Sequence, residues 1–216
     1  MKTLRQYKVK EIEAAAWRLL NNLYGSFIPT PIDVEYILEK HPSVVDFDLV
    51  KGLSIKYGLG GVIFRLKEDR FVVLIDSDIA DRSPYYYRFT IAEELSHLVL
   101  HKDLIHEIDS IEKSVKLLSD PSYEKMDRNA KRFAAALLMP NKLIVNDSER
   151  LYHEILLRDG FQENKIILKE IIETLRKKYD VSKETMFYRL NEWPLEIIGR
   201  VEFSIKEQSK ELLMIQ

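Results

Sequence analysis

Apolar residues recur at helical spacing from Val9 to Tyr24, at Ile12, Ala15, Ala16, Leu19, Leu20 and Leu23. That periodicity predicts an amphipathic helix, and Gly25 is a suitable stop. Pro29-Thr30-Pro31-Ile32-Asp33 opens a second short helix reaching about Lys40, with Thr30 as its cap and Pro31 in its first turn, and His41-Pro42 closes it. The pattern then changes period. Val44 to Val50, Gly61 to Leu66 and Arg70 to Ile75 read as strands. The last two are joined by Lys67-Glu68-Asp69 and should form an antiparallel hairpin. Gly58, Gly60 and Gly61 precede it and permit a bend or a close approach. No Lys-Ser/Thr follows them at the spacing a phosphate loop needs.

Helical spacing returns from about Pro84 to His101, with Ser83 as cap and Pro84 in the first turn. Leu104 to Ser119 reads as a helix or loop, broken at Asp120-Pro121. Tyr123 to Leu138 is a further helix stopped by Met139-Pro140. Beyond Asn141 the chain is helical over about Lys142–Gly160, Gln162–Tyr179 and Ser182–Asn191, and Pro194 ends the series. In the tail, Arg200 to Ile205 looks like a strand. These elements divide the chain into a first domain, 1–141, and a helical C-terminal subdomain, 142–216.

Composition narrows the function classes. The 216 residues are 46% hydrophobic and 31% charged, enough for a core and a soluble surface. Net charge is −2 and the pI about 6.3, so no global basic excess points to nucleic acid. There is no cysteine, which removes disulfides, thiolate zinc sites and thiol nucleophiles together. No apolar stretch approaches the ~20 residues of a membrane span. A cytoplasmic setting is expected.

Candidate chemistry centres on Glu93-Glu94-Leu95-Ser96-His97. Residues four apart share a helix face, so two such ligands can grip one metal ion. In the pattern His-Glu-x-x-His, the Glu after the first ligand accepts a proton from metal-bound water. Here Glu93 and His97 hold the ligand positions and Glu94 that of the general base. The alternative is a half-buried helix with Ile91, Leu95, Leu98 and Val99 as core and both glutamates solvated.

The surrounding string, Arg88-Phe89-Thr90-Ile91-Ala92 before the motif and Leu98-Val99-Leu100-His101 after it, resembles the ImmA/IrrE family of metallopeptidases. A second family motif is matched by Asn129-Ala130-Lys131-Arg132-Phe133-Ala134-Ala135-Ala136-Leu137-Leu138-Met139-Pro140. The order of elements agrees from about Glu11 to Leu190. The resemblance implies an α+β fold: a helix-rich, zincin-like metallopeptidase domain with a small antiparallel sheet and a helical C-terminal subdomain. It also implies zinc, a hydrolytic or regulatory role, and a helix-turn-helix repressor as partner or substrate.

Two positions depart from the family. Its first His is Glu93, and the Glu that opens the second motif is Asn129. Glu93, His97 and Asn129 would offer two oxygens and one nitrogen, a set suited to manganese or magnesium more than zinc. His97 with His101 is a further pair at ligand spacing. Three readings stand open. One is a regulatory protein with impaired or absent peptidase activity, holding zinc, manganese or no metal. Another is an endopeptidase with an unusual ligand set. The third is a DNA-binding regulator using a helix-turn-helix-like pair over Lys169 to Asn191, with Lys183, Thr185, Tyr188 and Arg189 facing the groove. Against the last stands a packed hairpin with Val181, Met186, Phe187 and Leu190 as core. Tyr85, Tyr86 and Tyr87 either line a cleft or pack, and Arg88 either pairs with a carboxylate or lies at the surface.

Overall fold

The computed structural model describes residues 5–160, 163–192 and 195–215, with side chains through residue 206. The chain forms two compact units, Met1–Leu138 and Met139–Gln216. The described part of the first runs α1 (Val9–Tyr24), α2 (Val34–Lys40), β1 (Val44–Val50), α3 (Leu53–Tyr57), β2 (Gly61–Lys67), β3 (Arg70–Asp76), α4 (Ser77–Arg82), α5 (Pro84–Leu100), α6 (Lys102–Ile105), α7 (Ile111–Leu118) and α8 (Tyr123–Leu138). The fold is helix-rich α+β, as expected.

α5 is the axis of this unit. Ile91, Ala92, Leu95, Ser96, Leu98 and Leu100 are buried on several of its sides, because α1, α2, α8 and the sheet all pack around it. A helix enclosed in this way needs no single apolar stripe. Ser83 caps it by accepting from the Tyr86 N–H, and Pro84 occupies its first turn. α8 lies against both α5 and α1 and buries Met126, Ala130, Phe133, Ala134 and Leu137, a 3.6-residue stripe.

The sheet has the order β1-β3-β2. β2 and β3 form the expected antiparallel hairpin, but β1 pairs with β3 in parallel, so the sheet is mixed. β3 is therefore the central strand, which explains its nearly continuous apolar run, Phe71-Val72-Val73-Leu74-Ile75. The hairpin turn announced β2 and β3, whereas nothing local specifies which strand β1 joins.

The second helix also departs from expectation. Thr30 is not its cap. The Thr30–Pro31 peptide is cis, and the helix starts only at Val34. Asp33 caps it, its carboxylate accepting from the Tyr36 N–H at 2.9 Å.

The second unit comprises α9 (Asn141–Asp159), α10 (Asn164–Tyr179), α11 (Lys183–Asn191) and α12 (Ile197–Ile215). The strand expected at Arg200 to Ile205 is part of α12. Ile197, Ile198, Val201 and Ile205 are buried at helical spacing, and the packing against α9, α10 and α11 overrides their β-branched preference. Tyr179 is fully buried and donates to Asp147 at 2.7 Å, while Lys178 reaches the same carboxylate. Expected boundaries at Gln162 and Pro194 lie outside the described residues.

Val181, Met186 and Leu190 form core at the α10–α11 turn, but Phe187 is substantially exposed. Arg189 does not face outward. It is 1% exposed, and its guanidinium donates to the Met139 carbonyl and to Glu192. An α11 laid in a DNA groove would therefore lack one of the cations assigned to it.

Candidate functional site

β2 begins against the middle of α5, and Gly61 makes that approach possible. A Cβ at Gly61 would lie 2.8 Å from Glu94 Oε1 and 2.9 Å from both Thr90 Cγ2 and Ile75 Cδ1. The glycine anticipated for a close approach thus seats the strand directly on the Glu94 carboxyl. Beside it opens a cavity of about 160 Å³, bounded by the Gly58–Gly61 segment, by Glu93, Glu94 and His97 of α5, and by Asp127 and Lys131 of α8. Tyr86 and Tyr123 complete the polar wall. Glu94 and His97 also border a smaller, apolar pocket of about 60 Å³ lined in part by Val62, Ile63, Ile105 and Ile108.

Burial dominates the electrostatics. Glu94 is 7% exposed and borders the cavity. Burial, reinforced by neighbouring Glu93, pushes its pKa up to about 8. Glu93 is pushed up to about 7, again by burial, with Lys131 opposing and Asp127 reinforcing. The solvated glutamates of the plain-helix alternative are thus not observed. Tyr123 is raised to about 12 by burial and by the surrounding carboxylates.

The histidines are displaced in the opposite direction. Burial lowers His97 to about 4, and burial with His97 nearby lowers His101 to about 3. Both are neutral at ordinary pH, and their Nδ1 atoms share a hydrogen bond at 2.9 Å. One ring must donate there and the other accept. His101 is therefore the neighbour that fixes the ring of His97, and its Nδ1 is engaged by that contact. Ser96, fully buried, donates to the Glu93 carbonyl at 2.5 Å.

Asn129 of α8 stands apart from the other expected ligands. It is buried, but it is absent from the cavity wall. α8 presents Tyr123, Asp127, Ala130 and Lys131 to the cavity. At about 100° per residue, Asn129 lies on the far side of the helix. The acidic side chain that α8 contributes is Asp127, two residues earlier. The Met126-Ala130-Phe133-Ala134 stripe does not single it out, because Asp127 and Asn129 flank that stripe on opposite sides. Asp127 is not free, since its carboxylate is paired with the Lys131 ammonium at 2.9 Å.

Of the tyrosines before the motif, Tyr86 lines the cavity. Tyr87 is raised above its ordinary pKa by burial and by Glu35, and Arg88 donates to the Ile32 carbonyl at 2.8 Å.

Zinc does not fit this donor set. Among the described residues, no group of three or more His, Asp or Glu side chains is arranged to hold a metal ion. Glu93 and Asp127 are oxygen donors, one of them ion-paired, and His97 is the single nitrogen. A catalytic zinc ion typically takes three protein ligands, nitrogen prominent among them.

With this geometry in hand, the comparisons are specific. A family model described as the IrrE N-terminal-like domain of peptidase M78 matches residues 64–191, more than half of the chain. The match takes in β2 from its fourth residue, α5, α8 and the helices through α11. No curated protein matches the chain. Among the described residues, no helix is long and apolar enough to cross a membrane.

Proposed function

Given that the chain belongs to the M78 peptidase family, the IrrE N-terminal-like group, we propose that it is a cytoplasmic regulatory protein that uses the metallopeptidase scaffold to bind a protein without cleaving it. The observation that carries this reading is the state of the cavity. Glu93 stands where the family has its first histidine, and the α8 carboxylate is tied to a lysine. Glu94 keeps the position of a general base. In this reading Glu94 serves the packing of β2 on α5, where Gly61 seats closely against it. The partner class, a helix-turn-helix repressor, is supported by the family resemblance.

Hydrolysis of a fluorescent casein and of a purified helix-turn-helix repressor from the same genome, each with added zinc or manganese, tests the reading. The expected result is no cleavage, together with saturable repressor binding by calorimetry. Metal-dependent cleavage that disappears in Glu94→Ala would establish an active endopeptidase instead.

A further inference from the structure

We infer that the Lys131 ammonium, held in the cavity wall by Asp127, supplies the positive charge that a bound metal ion supplies elsewhere in the family, and that the site is built to stay free of metal. The inference rests on the non-cleaving reading and goes beyond it, because it identifies what occupies the electrostatic role of the missing ion.

The placement is specific to α8. Residues 127 and 131 are one helical turn apart, so their side chains meet. They meet on the side of the helix that borders the cavity, opposite Glu93 of α5. The ammonium lies 2.9 Å from Asp127 Oδ2. It is close enough to Glu93 to oppose the effect of burial on that carboxyl, and its own pKa is raised by hydrogen bonding to Asp127, with further support from Asp127 and Glu93 charge. Three carboxyls, Glu93, Glu94 and Asp127, border one small cavity, and among its lining residues Lys131 is the single cation.

A second cation in this space meets two obstacles. It must displace Lys131 from Asp127, and it must then sit near an ammonium that keeps its charge in solvent at the cavity's edge. Repulsion between the two cations, screened in part by solvent at the exposed lysine, weakens binding of the ion. Replacing Glu93 by histidine therefore repairs only part of the site. Asp127 has to be released as well.

Zinc affinity, measured by competition with a chromophoric chelator, tests this on four full-length proteins: wild type, Lys131→Met, Glu93→His, and the double variant Glu93→His/Lys131→Met. The double variant should bind zinc at least about tenfold more tightly than Glu93→His alone, the scale on which neighbours of metal ligands act. Equal affinities would overturn the inference, as would wild-type protein purified with stoichiometric metal. Lys131 is more than half exposed, so these variants should fold, and circular dichroism checks that they do. Lys131→Gln, which keeps a polar head without charge, should behave as Lys131→Met does; if it retains the weak affinity, charge is not the cause. Casein cleavage by the wild type would defeat the proposed function and leave the affinity comparison standing, so the two failures are distinguishable.

Discussion

Two carboxylates are buried in the first unit, and the fold treats them in opposite ways. Asp76, at the end of β3, is fully buried and accepts from three backbone N–H groups: Ser54 at 2.6 Å, Asp78 at 3.0 Å and Gly52 at 3.3 Å. Burial alone would raise its pKa, but these donors outweigh burial and hold it below the ordinary value. Glu94 is nearly as buried, faces a cavity instead of a ring of donors, and is pushed up to about 8. Asp76 is an ionised knot that ties α3 and α4 to the sheet. Glu94 is a carboxyl kept neutral at the edge of a cavity, costing stability whenever it ionises. A buried charge ringed by donors marks construction; a buried carboxyl held neutral at a cavity marks a site or its remnant.

The largest effect expected from this contrast lies at Asp76. Asp76→Ala leaves three N–H groups without their acceptor, at a cost on the order of 1–3 kcal/mol for each one that stays dry. A loss of about 3–5 kcal/mol in chemical denaturation is expected, since some of these groups will find water. A loss below about 1 kcal/mol would show that the donors do not depend on the carboxylate, and the contrast with Glu94 would collapse.

Next comes the strand that seats Glu94. Gly61→Ala places a methyl group within 2.9 Å of Thr90 and Ile75 and 2.8 Å from Glu94 Oε1. Overpacking of this kind costs about 1–3 kcal/mol. The same substitution at Gly25 meets no atom within 4 Å and is strained only by its positive φ of 66°. Gly61→Ala should therefore also change the surroundings of Glu94, visible as a shift in its titration by NMR, while Gly25→Ala should not.

These two residues show how unevenly the sequence announced the molecule. Gly61 was legible, because a glycine at the start of a strand has few uses beyond a bend or a close approach. Helix α5 was legible in extent and cap, since Ser83-Pro84 and the motif spacing are local signals. Asp76 gave no sign, because its three donors come from turns that only the folded chain brings together. Asp127 was missed for a different reason. The apolar stripe of α8 is flanked by Asp127 on one side and Asn129 on the other, so the sequence does not say which flank meets the cavity; the packing against α5 decides for Asp127 and Lys131. The pairing of β1 and the helical nature of Arg200 to Ile205 were hidden because each depends on distant packing.

The pH dependence sharpens the comparison at a smaller scale. The folded-state pKa of Glu94 lies above its ordinary 4.5, so the folded state holds a proton that the unfolded state releases. Stability from this group is therefore lost as pH rises from about 4.5 through about 8. His97 and His101, lowered to about 4 and about 3, lose stability as pH falls below 6.5. Asp76 acts like the histidines in direction: its lowered pKa gives stability above its unfolded value that is lost in acid. Glu94→Gln should remove the alkaline limb alone, stabilising the protein by about 1–3 kcal/mol near pH 9 and changing little near pH 5. Equal effects at both pH values would mean that Glu94 is already ionised in the folded protein.

The smallest expected effect is that of metal. A ligand that binds only the folded state raises the melting temperature with the logarithm of its concentration relative to its dissociation constant. With Asp127 held by Lys131, Glu94 largely protonated and Glu93 about half protonated near neutral pH, wild-type protein has little to offer a divalent ion. Dialysis against a chelator, followed by micromolar zinc or manganese, should move the melting temperature by less than about 1 °C. The Glu93→His/Lys131→Met variant should respond by several degrees in the same experiment. A wild-type shift as large as that of the variant would place the cavity of α5 and α8 among working metal sites. Glu94 would then act as the base that its position beside the first ligand suggests.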